Sequence, residues 1–228
     1  MIKIPTKTGP SEILIKSQLL KSLRHDNGKF LMWDTTCTID PILFQIYYQK
    51  LIERHLSKEE ANIIRYYVAK AQAGWGSEVM DKKYGYTKSL KAKKEILDFD
   101  RGQTELVGIG KFDLVRADFA KNEFISRTKS PYAEVYKIFF GLQKECVDFW
   151  LMGIWAGGIE PIVHEKLACF ETTCIAKGDT YCELHIKPIK SWKPNDELVK
   201  RYSYLLKEEP SLKDVGSQFS SLMAALQK

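Results

Sequence analysis

The spacing of apolar residues changes along this chain, and that change constrains the fold more than any other feature. Helical spacing dominates the first half, and strand-like runs then alternate with further helical stretches. The predicted helices are 41–52, 58–80, 87–97, 131–142, 145–159, 195–206 and 212–227. The predicted strands are 29–33, 104–116, 122–128, 167–176 and 180–186. Helices followed by strands, helices and a final hairpin predict an α+β fold with an antiparallel sheet.

Polar residues at the expected positions support several of these boundaries. Asp40-Pro41 predicts the start of the first helix, with the aspartate as its cap. Ser57 followed by Glu60 is a capping box for the second helix. We expect residues 1–187 to form one ligand-binding domain, and residues 188–228 to form a C-terminal helical extension.

Composition excludes several classes of protein. The 228 residues are 44% hydrophobic and 28% charged, which is typical of a folded globular domain and not of a disordered or fibrous chain. No apolar run is long enough to span a membrane, and the N-terminus lacks an apolar signal-peptide core, so we expect a cytoplasmic protein without membrane insertion. The net charge of +6 is modest, and the basic stretch 82–94 is typical of a solvated helical face. Direct binding to nucleic acid is not expected.

Four of the five cysteines lie in the C-terminal half of the chain, at Cys146, Cys169, Cys174 and Cys182. If the hairpin turns at Gly178, Cys174 and Cys182 oppose each other, with Cβ atoms roughly 4.5–5.5 Å apart. Two thiols so placed can share a metal ion, form a disulfide or pack as small apolar side chains.

A carboxylate precedes this pair. Glu171 is three residues before Cys174, and a regular strand would place the two on opposite faces. A bulge near 172–173 would turn both toward one point. Two thiolates and a carboxylate suit zinc, and the fourth ligand would be Asp148 or Cys146, near the start of the preceding apolar helix.

Aromatic residues suggest a hydrophobic pocket. Trp150 and Trp155 flank small residues at helical spacing, which allow a ligand or another backbone to approach closely. Tyr47, Tyr67 and Phe112 are further candidates for the pocket wall, and all five residues would serve equally well as core. The sequence contains no phosphate-binding loop, nucleophile elbow or dinucleotide fingerprint, so no catalytic residue is assigned and we expect a protein that is not an enzyme.

Short motifs then occur in an order that resembles a known family. They are the segments 108–114, 130–133, 153–158, 171–174 and 178–182. Together they resemble the 4-vinyl-reductase domain family, which is related to sensor domains of aromatic-responsive bacterial transcription activators and to small subunits of the TRAPP trafficking complex. The resemblance implies a twisted antiparallel sheet packed on helices, a homodimer, and an enclosed pocket for a small hydrophobic ligand.

The same resemblance implies a zinc ion beside that pocket. Its ligands would be Glu171, Cys174 and Cys182, and the fourth position, a cysteine in the phenol-sensing relatives, falls on Asp148 here. Such a zinc would be structural, because four protein ligands leave no open position for a substrate.

Three other functions remain open. The opposed cysteines could act as a thiol redox switch, and the domain could serve as a dimerisation or scaffold module. A reductase is disfavoured, because hydride transfer needs a cofactor and the sequence shows no site for an organic one.

Overall fold

The computed structural model describes residues 21, 23–26, 29–32, 35–37 and 40–207, and its fold is α+β, as the sequence predicts. The helices of this part of the chain are α1 (Ile42–His55), α2 (Lys58–Tyr84), α3 (Leu90–Leu106), α4 (Pro131–Phe140), α5 (Phe149–Val163) and α6 (Glu197–Tyr202). The strands are β1 (Leu23–Asp26), β2 (Lys29–Met32), β3 (Thr35–Cys37), β4 (Lys111–Asp118), β5 (Glu123–Lys129), β6 (Leu167–Thr173) and β7 (Cys182–Pro188).

The strands form two antiparallel sheets. The larger has the order β4-β5-β7-β6, so the predicted C-terminal hairpin supplies half of it. The smaller has the order β1-β2-β3, and its middle strand is the one predicted at 29–33. Burial alternates along β7, because successive side chains of a strand point to opposite faces. One face of the larger sheet therefore carries the core.

Capping residues explain two of the helix starts. The hydroxyl of Ser57 accepts a hydrogen bond from the Glu60 N–H, and the Glu60 carboxylate accepts one from the Ser57 N–H, so the predicted capping box is present. The hydroxyl of Ser130 caps α4 by accepting the Ala133 N–H, with Pro131 in the first turn. The predicted cap at Asp40 is wrong, because Pro41 itself occupies the cap position of α1 and makes no side-chain capping hydrogen bond.

Two predicted boundaries are also wrong. Helix α3 continues to Leu106, so the residues predicted to begin the next strand at 104 are helical, and β4 begins only at Lys111. Gly108 and Gly110 between them have φ values of 81° and 144°, which favour glycine and end the helix. Helix α5 begins at Phe149 rather than 145, because Asp148 caps it.

Helices α2 and α5 pack so closely that two positions on α5 accept only glycine. A Cβ at Gly157 would overlap the backbone of Lys70, and one at Gly153 would overlap the backbone of Tyr66. No helix in the described residues is both long and apolar enough to cross a membrane.

Residues 188–207 pack against the far strand of the larger sheet. Phe170 on β6 contacts the rings of Trp192 and Tyr202, with centroids 4.4 and 5.1 Å away. The Tyr202 hydroxyl donates to the Glu171 carbonyl at 3.2 Å. The helix predicted at 212–227 lies outside the described residues.

The close approach of α2 and α5 yields a prediction. Gly157→Ala should lower the free energy of unfolding by about 1–3 kcal/mol, because the added methyl group overpacks the interface. Gly158→Ala is the matched control, since the nearest atom to its Cβ is 3.8 Å away, and it should leave stability unchanged or raise it by up to about 1 kcal/mol. Urea unfolding of the two variants measures the difference, and equal midpoints would contradict the packing described.

Candidate functional site

A bulge in β6 brings the predicted metal ligands to one side of the hairpin. Glu171 pairs with Leu184 and Thr173 pairs with Glu183, so one extra residue, Thr172, is inserted between the two pairs. This is the bulge that the sequence requires for Glu171 and Cys174 to converge. Three residues form a buried cluster in which the sulfur or carboxylate oxygen atoms of Cys146, Glu171 and Cys174 all lie within 4.8 Å of one another.

Cys182 adjoins this cluster across the hairpin. Its Sγ lies 3.9 Å from the Sγ of Cys174, and both side chains are buried. Two sulfurs bound to one tetrahedral zinc, each about 2.3 Å from it, lie about 3.8 Å apart. The spacing of the two thiols therefore matches a shared zinc ion.

Hydrogen bonds hold the turn that carries these thiols. The Cys174 N–H donates to the Asp179 carboxylate at 2.7 Å, and the Ile175 N–H donates to the Cys182 Sγ at 3.4 Å. On the other side of the cluster, the Cys146 thiol donates to the Glu171 carbonyl at 3.6 Å. The cluster is thus positioned by backbone contacts of three separate segments.

The Glu171 carboxylate is incompletely satisfied. Its Oε2 accepts a hydrogen bond from the Asp148 N–H at 3.4 Å, whereas its buried Oε1 has no partner among the described residues. Burial raises the pKa of Glu171 well above its usual value, and the neighbouring Cys146 and Asp148 raise it further. An unpartnered buried carboxylate oxygen is costly unless it is protonated or binds a cation.

Asp148 has another structural role. One carboxylate oxygen accepts the Leu151 N–H at 3.1 Å, which caps α5, and the other accepts the Ser130 hydroxyl at 2.5 Å. The cluster contains Cys146 instead, from the non-helical segment before α5. Of the two alternatives for the helix-side ligand, the geometry therefore favours Cys146.

The thiols of the cluster favour their neutral forms. A hydrogen bond with Cys174 and burial raise the pKa of Cys146 far above its usual value. The contact with Cys174 lowers the pKa of Cys182, but burial and the Glu171 carboxylate outweigh it and leave the value at about 11. Without a cation the cluster is therefore protonated near neutral pH, and a metal ion that binds there must displace protons.

A cavity of about 290 Å³ lies between α2, α3 and α5. Its wall is mostly apolar and includes three tryptophans, Trp75, Trp150 and Trp155, together with Met80, Leu97, Ile109 and Ile154. Two of the five predicted pocket residues, Trp150 and Trp155, therefore lie at the cavity.

The other three predicted pocket residues do not line this cavity. Phe112 is buried and packs edge-on against Trp155, with ring centroids 5.4 Å apart. Tyr67 is buried and donates its hydroxyl to the Leu205 carbonyl at 2.9 Å. Tyr47 is exposed on α1. The sequence shows that these side chains are aromatic. Whether an aromatic side chain lines a cavity, lies in the core or is exposed depends on which elements pack together.

Asp100 also lines the cavity and was missed in the sequence. It follows Ile96 and Leu97 by four and three residues, so it lies on the apolar face of α3. An acidic residue on a buried helical face is a signal that the sequence contained. The helix predicted from the sequence ends at Leu97, so Asp100 falls outside it and is not recognised as part of its buried face.

Helix α5 connects the cavity to the cysteine cluster. The Glu171 N–H points to the sulfur of Met152 at 3.2 Å, one turn along α5 from its cap at Asp148. The neighbouring positions on the same helix, Trp150 and Ile154, line the cavity. The two features thus lie on different faces of one helix.

Comparison with known proteins supports this architecture. No protein-family model matches the sequence. A segment of 68 residues, 30% of the chain, is 31% identical to the phenol regulator MopR of Acinetobacter guillouiae, and it spans only 12% of that protein.

Solved structures resemble the chain over a larger extent. The phenol-responsive sensory domain of the transcription activator PoxR, in complex with phenol, matches 86% of this chain and 98% of its own length, with a TM-score of 0.71 and 15% identity. A vinyl-4-reductase family protein from Methanocaldococcus jannaschii matches 67% of this chain and 83% of its own, with a TM-score of 0.42 and 16% identity. A trafficking protein particle complex subunit 3 from Naegleria fowleri matches 64% of this chain and 93% of its own, with a TM-score of 0.47 and 13% identity. With a TM-score of 0.71 over 86% of its length, the chain shares the fold of the PoxR sensory domain.

Proposed function

We propose that this protein binds a small hydrophobic, aromatic ligand in the cavity between α2, α3 and α5 and acts as a sensor domain. The observation that carries the proposal is the cavity itself, which is apolar and bounded by Trp75, Trp150 and Trp155. Ligand sites are typically concave and mostly apolar, with a few polar groups that orient the ligand. The fold shared with a phenol-responsive sensory domain supports the same function.

The size of the cavity limits the ligand. Its volume of about 290 Å³ is roughly twice that of the ~150 Å³ engineered cavity that holds one benzene molecule. A molecule of one or two aromatic rings fits this space. Binding rather than catalysis is proposed, because the cavity wall presents an apolar surface without an assigned nucleophile.

We further propose that Cys146, Glu171, Cys174 and Cys182 hold a structural zinc ion. Their chemistry fits, since thiolates and a carboxylate are zinc ligands, and the unpartnered Glu171 oxygen lies within the cluster. The bound ion would act as a cross-link and would join the β6–β7 hairpin to the segment before α5. Because α5 also forms part of the cavity wall, metal binding would stabilise the ligand site.

The homodimer implied by the family resemblance has a candidate surface. Several large apolar side chains of α1 and α4, with the residues just after α4, are more than half exposed: Phe44, Tyr47, Tyr48, Leu51, Ile138, Phe139 and Leu142. Apolar surface of this kind is often covered by a partner, which supports a second copy of the chain as the partner.

Filling the cavity should abolish ligand binding. Gly76 on α2 lines the cavity, and a Cβ there would meet no atom within 4 Å, so Gly76→Leu places a side chain in open space. Affinity for 1-naphthalenemethanol, measured by calorimetry, should fall by at least tenfold, equivalent to about 1.4 kcal/mol. Stability should not fall, because leucine favours a helix over glycine.

The control for this variant is Lys82→Leu, an exposed position of α2 outside the cavity. It adds the same side chain to the same helix and should leave the affinity unchanged. Equal affinities for Gly76→Leu and the unmodified protein would contradict the assignment of this cavity as the ligand site.

Removal of one cluster thiol should remove the zinc. Protein purified without chelator should contain one zinc per chain by elemental analysis, and Cys146→Ser should contain none. If free zinc exceeds its dissociation constant about a thousandfold, binding stabilises the fold by about 4 kcal/mol, so chelation should lower the melting temperature by roughly 10 °C.

Cys169→Ser is the matched control for zinc content. Its thiol is buried like that of Cys146 but lies outside the cluster, so this variant should keep its zinc. Asp148→Asn should also keep its zinc, because the asparagine amide oxygen can still accept the Leu151 N–H and cap α5. A metal-free protein whose mass is lower by two hydrogens would instead indicate a Cys174–Cys182 disulfide and the redox switch.

Zinc affinity should increase with pH. The pKa of Cys182 is raised to about 11, and burial raises that of Glu171, so both groups are protonated near neutral pH and zinc must displace their protons. Raising the pH from 6 to 8 lowers the cost of that displacement. A zinc-competition titration with a chromophoric chelator measures the affinity at each pH. An affinity that is independent of pH would rule out these groups as ligands.

A further inference from the structure

A carboxylate without a partner stands in the wall of the apolar cavity. Asp100 on α3 lines the cavity beside Leu97, Thr104 and the tryptophans. Within the described part of the chain, no hydrogen bond or ion pair engages its carboxylate. Carboxylates in apolar surroundings are normally paired, because removing the charge from water is costly.

Three other polar side chains at the cavity wall, those of Arg101, Ser77 and Thr104, have partners of their own. The Arg101 guanidinium lies 3.4 Å from the Asp98 carboxylate, so this positive charge is already balanced. The Ser77 hydroxyl donates to the Gly158 carbonyl at 2.8 Å, and the Thr104 hydroxyl donates to the Arg101 carbonyl at 2.8 Å. Among the described lining residues, Asp100 is therefore the charge that lacks a counter-ion.

We propose that the cavity selects an organic cation, a compact aromatic amine whose ammonium group pairs with Asp100 while its ring packs among the tryptophans. This inference rests on the proposed ligand-binding function and specifies the ligand class. Trp75, Trp150 and Trp155 line the same cavity, and an indole face in contact with the ligand would add to the selectivity, since indole rings attract cations as well as apolar groups. A ligand ammonium group would thus be attracted both by the Asp100 carboxylate and by the indole rings.

The surroundings of Asp100 disfavour an uncompensated charge. Burial raises the pKa of this carboxyl to about 7. A neutral aromatic ligand would leave the carboxylate without a partner and would remove the remaining water from it. An anionic ligand would add repulsion. A bound ammonium supplies the missing charge and two or three hydrogen-bond donors, and hydrogen bonds to charged groups are the stronger ones.

Three matched ligands separate this inference from the general function. They share a naphthalene ring and differ in charge: 1-naphthylmethylamine is a cation at pH 8, 1-naphthalenemethanol is neutral and 1-naphthylacetate is an anion. We expect the full chain to bind the amine about tenfold more tightly than the alcohol in calorimetry, as one charged hydrogen bond provides, and to bind the anion most weakly.

Substitution of the carboxylate tests its role directly. Asp100→Asn removes the charge with little change in shape, and it should bring the amine to within about threefold of the alcohol while the affinity for the alcohol stays the same. Glu95→Gln is the control, since it makes the same charge change at an exposed position of α3 outside the cavity. It should keep the preference for the amine.

The outcomes are distinguishable. Equal binding of amine and alcohol by the unmodified protein would overturn the cation inference and leave the aromatic-ligand function in place. Retention of the amine preference in Asp100→Asn would also overturn it. If none of the three compounds binds, both the inference and the proposed function are wrong. The comparison of ligands on the unmodified protein does not depend on whether the Asp100→Asn variant folds.

Discussion

The close packing of α5 against α2 is the contact on which the rest of the structure depends. It requires glycine at positions 153 and 157, because a Cβ at either would overlap the backbone of α2. The contact fixes the axial position and the rotation of α5. It therefore fixes which side chains of α5 face the cavity and which face the hairpin. Trp150 and Ile154 line the cavity, and Met152 contacts the backbone of Glu171. A shift of this one helix would alter the cavity wall and move Cys146, just before α5, away from Glu171 and Cys174 of the hairpin.

Two incompletely paired acidic groups distinguish the cluster and the cavity wall from ordinary core. One oxygen of Glu171 is buried beside three thiols, and the Asp100 carboxylate faces an apolar cavity. Each arrangement is unfavourable for an ionised carboxylate, because burial removes water from it: Glu171 is fully buried, and Asp100 is partly buried. In the proposals made above, a cation would relieve that cost in both places: a metal ion in the cluster and a ligand ammonium in the cavity. Stability would then be coupled to binding at two places that adjoin the same helix.

The geometry of the hairpin followed directly from local sequence. Symmetry about Gly178 placed Cys174 opposite Cys182, and the three-residue offset of Glu171 required a bulge, which the register of β6 contains. Such local features are predictable because strand alternation and turn position determine them without reference to distant residues. The boundaries of α3 and α5 were less predictable, since the glycines after Leu106 and the cap at Asp148 outweighed the apolar spacing.

The α+β class, the hairpin and the cysteines and glutamate near its turn were therefore predictable from the sequence, because they depend on residue spacing within neighbouring elements. Tertiary structure decided which groups meet. It directed Asp148 to the Ser130 hydroxyl and brought Cys146 to the cluster. It also separated Trp150 and Trp155, at the cavity, from Tyr47, on the surface. Those choices depend on how helices distant in sequence pack together, and residue spacing within one element carries no information about its neighbours in space.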